Sequence, residues 1–260
     1  MQLRVINVLY LGRVDYSTGL ELQQTLVHLV KEHAVGHTLL LLEHPPVITL
    51  GRNASETNVV ASREVLSGRG IELHETDRGG DVTFHGPGQL VGYPIFNLRE
   101  FAPRLGAVEF VRKVEEALIR TCGDLGIVTQ RISGMTGVWT EAPAKIAAIG
   151  VHISRGVTSH GFALNVNTNL EYFNLIIPCG ISDKPVSSLE GELAVADPPR
   201  PLPTLEQTAE LVSRNFGRVF EAQTLWLESL DALICSPQDT PARPPENLRK
   251  LASEEDIHLA

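Results

Sequence analysis

Between Gly126 and Thr168 the chain holds four strand signals in succession, GIVTQRI, TGVWTE, AKIAAIGVHIS and SHGFALNVNT, with no room for a helix between them. Strands joined this closely pair antiparallel, because a parallel pair needs a long crossover. The last two, KIAAIGVHISRGVTSHGFALNV, read as a hairpin turning at Arg155 and Gly156. An amphipathic helix, VEFVRKVEEALIRTCGDLG, precedes the run; Val108, Val111, Val114, Leu118 and Ile119 are expected to face a core, and Gly123 or Gly126 to end it. A second, TLEQTAELVSRNFGRVF, follows it, opened by Thr204 and Gln207 in capping-box spacing. Upstream, LRVINVLYL, TLLLLEHPP, VITLGR and QLVGYPIFNL read as strands. A helix after Asp15, stopped by Gly36, and a short one in SREVLSGRG lie among them. Helices and strands intermixed, with a block of consecutive strands, predict an α/β (α+β) fold: a mixed β-sheet with flanking helices, not a doubly wound parallel sheet. Residues 1–235 are expected to form a single domain, with 191–203 an exposed connection and 236–260 a loose proline-rich tail.

Composition narrows the function classes. The net charge of −9 argues against a general nucleic-acid binder, whose affinity comes from a basic surface. Cys122, Cys179 and Cys235 are too few and too scattered for a disulfide framework or a zinc site, and fit a reducing compartment. No apolar run approaches the roughly 20 residues of a membrane span, and the N-terminus lacks the pattern of a signal peptide. The cytoplasm is the expected location. The nine histidines show no HExxH or comparable metal constellation.

Three stretches hold candidate chemistry. RGGDVTFHGPGQ, residues 78–89, is neither of the common phosphate loops. On glycine content alone it is a hairpin joining two core strands. The concentration of Arg78, Thr83, His85 and Gln89 at turn-rich backbone favours a ligand-facing loop instead, with DVTFH as a short strand beside a cavity. IIPCGI places Cys179 on a turn whose backbone N–H groups can support a thiolate. Taken alone, its isoleucine neighbours make a packed, inert cysteine the better explanation. Lys145 opens an apolar strand, which is usually no more than its solvated start. If it shares a pocket with Cys179, its ammonium favours the thiolate, and the pair can divide nucleophilic and acid–base duties. His85 before GPGQL and His160 before GFALNV mirror one another and can line one cavity.

Taken together, RGGDVTFHGPGQLVGYP, PAKIAAIG, SHGFALNVNTNL and NLIIPCGI resemble the lipoyl(octanoyl) transferase family, in family order and at family-like separations over roughly residues 5–220. The resemblance implies a fold like the catalytic domain of biotin and lipoate protein ligases. It also implies an acyltransferase that moves an octanoyl group from octanoyl-acyl carrier protein, through a cysteine thioester, to a lysine of a lipoyl domain. By motif position Cys179 is the cysteine and Lys145 its partner. The implied substrate contacts are Arg78, Gly79, Gly80, Asp81, Val82, Thr83, Phe84 and His85; Ala148, Ile149 and Gly150; and Gly161, Phe162 and Ala163. No cofactor or metal is implied. The implied acceptors are the lipoyl domains of 2-oxoacid dehydrogenases and the glycine-cleavage carrier protein, and a monomer is expected. Because the expected partners are acidic like this chain, a basic patch drawn from Arg52, Arg63, Arg69, Arg78, Arg99, Arg104, Arg112 and Lys113 is expected to dock the carrier. Two other readings stay open: an ATP-dependent lipoate or biotin ligase of the same fold, and a non-catalytic acyl-binding protein.

Overall fold

A computed structural model of the protein describes residues 4–177 and 184–234. Cys179, Cys235 and the tail 236–260 lie outside them. The chain opens with strand β1 (Arg4–Arg13), helix α1 (Tyr16–Lys31), β2 (Thr38–Glu43) and β3 (Val47–Leu50). There follow α2 (Arg63–Gly68), β4 (Glu72–Glu75), β5 (Val82–His85), β6 (Gln89–Ile95) and α3 (Ala107–Asp124). The strand block is β7 (Thr129–Ile132), β8 (Met135–Thr140), β9 (Lys145–Ser154) and β10 (Val157–Asn165). The described chain ends with α4 (Leu189–Ala194), α5 (Leu205–Phe220), β11 (Ala222–Trp226) and α6 (Leu230–Ile234).

Eight strands form one mixed sheet in the order β11-β1-β2-β6-β10-β9-β8-β7. β1 runs parallel to β2 and β11, and every other pair is antiparallel. β9 and β10 form the expected hairpin; its turn residues Arg155 and Gly156 both have positive φ (53° and 92°), as the tight two-residue turn requires. A second, three-stranded sheet, β4-β3-β5, pairs β3 with β4 in parallel and with β5 antiparallel.

The large sheet has apolar clusters on both faces. On one, Phe110, Val114 and Leu118 of α3 meet Val212, Phe216 and Phe220 of α5. On the other, Leu22, Leu26 and Leu29 of α1 pack on Leu40, Leu42 and Val91. A third cluster, with Ile48, Val82 and Phe84, sits under the small sheet. The capping box of α5 is complete: the Gln207 amide N–H donates to the Thr204 hydroxyl (3.1 Å) and the Thr204 N–H to the Gln207 side chain (2.9 Å).

Several local expectations change. Val108 is 74 % exposed, because the buried stripe of α3 starts only at Phe110. α1 stops at Lys31, short of Gly36, and His33 takes the left-handed conformation (φ 58°) that ends it. Residues 191–203 are not wholly a surface connection: they include most of α4, whose Leu189 and Leu193 are buried. The stretch 78–89 does not join two strands of one sheet. β5 belongs to the small sheet and β6 to the large one, so Gly86–Gly88 carries the chain from one to the other.

Candidate active site

Where the two sheets face each other, a cavity of about 430 Å³ opens beside the β9–β10 hairpin. Arg78, Gly79, Gly80, Asp81, Val82, Thr83 and His85 form one wall; Lys145, Ala148, Ile149 and Gly150, with Gly161, Phe162 and Ala163, form the other. Every predicted substrate-contact position lines it except Phe84. Strand alternation turns Phe84 into the third core cluster, stacked on Tyr172 with ring centroids 4.8 Å apart.

The walls are close because glycine lets backbone meet backbone. The Gly79 N–H donates to the Val151 carbonyl (3.0 Å), and a Cβ on Gly150 would stand 2.6 Å from the Gly79 oxygen. Arg78 is buried, and its guanidinium is turned into the protein. Its Nε and one terminal nitrogen donate to the Thr49 hydroxyl (3.1 and 2.9 Å), and that nitrogen also donates to the Thr49 carbonyl (2.6 Å). It therefore clamps the glycine loop to β3. The expected basic patch shrinks accordingly. Arg78 is interior, whereas Arg52, Arg63, Arg69, Arg99, Arg104 and Arg112 are exposed, Arg112 with its charge paired to Glu115 (2.6 Å).

Lys145 stands where β9 begins, at the edge of the cavity. Its peptide group is held by the chain that follows residue 183: its N–H donates to Pro185 (2.8 Å) and its carbonyl accepts from Ser187 (2.9 Å). Its alkyl chain passes over Gly137, and Nζ lies 4.7 Å from the centre of the Trp139 ring, within cation–π range. Gly137 is fixed from below by Glu115 of α3. This wholly buried carboxylate accepts the Gly137 N–H (3.1 Å) and is neutralised by Arg112 (2.6 Å) and Arg131 (3.1 Å). Sequence reasoning misses Glu115, since a glutamate on an amphipathic helix looks like part of the solvated face. The neighbouring apolar positions 114, 117 and 118 are the available signal that it faces inward.

A file of rings lines and backs the wall of the cavity. His85 stacks on Tyr16 (6.1 Å), Tyr16 meets His44 edge-on (5.1 Å), His44 approaches Tyr93 (6.0 Å), and Tyr93 approaches His160 (6.5 Å). Burial pushes His85 down to about 3, helped by neighbouring His44, and His44 down to about 4. Both imidazoles are therefore neutral at ordinary pH. His44 Nδ1–H donates to the Val14 carbonyl (2.5 Å), which leaves Nε2 to accept the Tyr93 hydroxyl (2.7 Å).

His160 marks the far end. It pairs in register with Val151, six residues along β9 from Lys145, or roughly 20 Å at the usual strand rise. Its φ of 54° is left-handed, a strain of about 1–3 kcal/mol for a non-glycine residue. The kink turns the ring onto the Tyr93 side, where Nε2 meets Asp77 (2.7 Å), while the buried Gln23 side chain holds its N–H (2.7 Å). Burial keeps this imidazole below its ordinary value despite Asp77. Partial burial works the other way on Asp77, but His160 and His152 hold its carboxyl low.

Cys122 is buried in the helical core, where burial pushes its thiol up to about 12, so it is an inert packing residue. Among the described residues no group of three or more His, Cys, Asp or Glu is arranged to hold a metal ion. No helix among them is long and apolar enough to cross a membrane.

Residues 15–217 match the model of the lipoyl protein ligase A/B catalytic domain. The chain is 62 % identical over 257 residues to an octanoyltransferase of Koribacter versatilis, covering 98 % of this chain and 100 % of that one. It is 61 % identical over 240 residues to an octanoyltransferase of Acidobacterium capsulatum, covering 88 % and 96 %. Among solved structures, a bipartite lipoate protein ligase from Thermoplasma acidophilum shares the fold with a TM-score of 0.69 at 15 % identity, over 96 % of this chain and 91 % of that one. The mixed sheet, the cavity between the sheets and this extent of shared sequence lead to one conclusion: the chain belongs to the lipoyl protein ligase A/B catalytic domain family and, within it, to the octanoyltransferases.

Proposed function

We propose that the enzyme takes an octanoyl group from octanoyl-acyl carrier protein onto Cys179 as a thioester, and passes it to a lysine of a lipoyl domain. The observation that supports this most is the anchoring of the chain on either side of residues 178–183. Ile177 donates its N–H to Asn58 (2.7 Å), whose side chain holds Asp81 of the glycine loop (2.7 Å). Val186 bridges to Lys145. In sequence, Cys179 lies between these two anchors: Ile177, tied through Asn58 to the cavity-lining Asp81, and the stretch Pro185–Val186 beside Lys145.

The chemistry follows from the donor. A thioester exchanges with a thiolate without further activation, so no nucleotide is needed. Lys145 as ammonium favours the Cys179 thiolate, and as amine it helps remove the proton from the attacking lysine nitrogen. Backbone N–H groups at the site stabilise the tetrahedral oxyanion. The cavity receives the alkyl chain, and each buried methylene contributes about 0.8 kcal/mol, so chain length is discriminated only weakly. The eight expected loop contacts at 78–85 are reduced to seven by Phe84; the rest stand as proposed contacts.

Residues 1–235 act as one catalytic domain, in the cytoplasm, as a monomer. The acceptors are the lipoyl domains of 2-oxoacid dehydrogenases and the glycine-cleavage carrier protein. The carrier docks near exposed Arg52, whose N–H donates to the Arg78 carbonyl (3.0 Å) at the loop itself.

Intact mass after incubation with octanoyl carrier thioester tests the reading. The expected result is a gain of one octanoyl group, removed by hydroxylamine and absent in Cys179→Ser. Acceptor labelling that requires ATP, with no acyl-enzyme, sinks it in favour of a ligase. Acyl binding without transfer favours a binding protein.

A further inference from the structure

The protonation state of the imidazole of His85, a residue that lines the cavity, is fixed by atoms far from it. The Ser187 carbonyl can only accept, so the Asn165 group facing it is the amide nitrogen (2.9 Å). Asn165 Oδ1 then accepts from Gln89 Nε2 (2.9 Å), which also donates to the Phe84 carbonyl (3.2 Å). Gln89 is thereby left with its oxygen toward His85 Nδ1 (2.8 Å), so Nδ1 bears the hydrogen. The lone pair is on Nε2. The chain closes on the proposed catalytic group, because Ser187 donates its own N–H to the Lys145 carbonyl (2.9 Å). Gln89, Asn165, His85 and Lys145 all line the one cavity.

Resting on the acyl-thioester reading above, we infer that His85 Nε2 accepts a hydrogen bond from the N–H of the incoming lysine amine and turns the nitrogen lone pair toward the thioester carbonyl. His85 is a catalytic residue by contact with the nucleophile, and it takes no proton. The amine nitrogen bonds to the carbonyl carbon, and the tetrahedral oxyanion collapses. The C–S bond breaks with its electron pair going to sulfur, and the proton shed by nitrogen passes through Lys145 to that sulfur. Thioester and amine become amide and thiol. A site built this way favours a nucleophile with a hydrogen to donate. A carrier thiolate attacking in the reverse of the loading step has none.

Single-turnover kinetics on the full chain separate the two cases. His85→Asn keeps a donor at the Nδ1 position for Gln89 and lacks the Nε2 acceptor, whereas His85→Gln can place an oxygen near Nε2. The expected result is that His85→Asn slows transfer from acyl-enzyme to lipoyl-domain lysine on the order of a hundredfold more than it slows exchange with the carrier thiol, the scale of a mispositioned nucleophile. His85→Gln recovers part of the loss. Equal slowing of both reactions, or no slowing of the lysine reaction, overturns the inference. A parent enzyme that labels lysine without ever acylating Cys179 removes the thioester reading instead, and the effect of His85→Asn on lysine labelling still decides this one.

Discussion

Tyr93 shows how one hydroxyl can matter to an interior. It supplies the hydrogen that satisfies His44 Nε2 in a fully buried setting (2.7 Å). Tyr93→Phe keeps the ring and strands that nitrogen, so it should cost about 1–3 kcal/mol in urea unfolding, the usual penalty of an unpaired buried polar atom. A loss below measurement error would mean that the pair stabilises nothing. At this scale the site is unevenly legible in the sequence. Lys145 stands out as a charge opening an apolar strand, and His85 and His160 stand out as a matched pair beside glycines. Arg78 lines the cavity as expected, but its guanidinium serves the fold, anchoring the loop through Thr49. Tyr16 and His44 are not legible as cavity neighbours, because only tertiary packing brings the start of α1 and the end of β2 beside His85.

Among the elements, α3 and β8 are joined by the Glu115–Gly137 bond, and β7 is drawn in through Arg131. Glu115→Gln removes the charge that the two arginines neutralise. Because Arg112 and Arg131 remain partly exposed (47 % and 34 %), the expected destabilisation is on the order of 2 kcal/mol, below that of a fully buried pair. Denaturant midpoints measure it; an unchanged midpoint would assign Glu115 no structural part. The long elements are legible because their periodicity is long. α5 shows its capping box, and β9–β10 shows its two-residue turn. β4, α4, β11 and α6, of four to six residues each, escape notice; the equally short β3, β5, β7 and α2 are read because glycine or proline punctuates them. The valine at 108 misleads because the apolar pattern begins before the buried stripe of α3, which starts at Phe110.

For the whole molecule, burial of neutral histidines sets a pH dependence. His37, His44 and His85 are held down to about 4, 4 and 3, against 6.5 for the free side chain. The unfolded chain therefore binds more protons below pH 6.5, and stability should be fully present above that value and fall as pH drops toward 4. Urea midpoints at about pH 7.5 and about pH 5 test this above the range where carboxylates titrate; an equal or higher midpoint at the lower pH would contradict it. The fold class is legible from the strand block, but the division into two sheets is not. Nothing local distinguishes β5 from β6, and the cavity exists only because they part at Gly86–Gly88. Part of that cavity's wall is glycine main chain, at Gly79, Gly80, Gly150 and Gly161. A Cβ at Gly150 would meet the Gly79 carbonyl at 2.6 Å, and one at Gly161 the Gly92 carbonyl. Main-chain atoms cannot be exchanged by point mutation, and the glycines that expose them have nowhere to put a side chain. Gly150 and Gly161 are therefore closed to single-step evolutionary drift, because any other residue would have to push two strands or a strand and a loop apart.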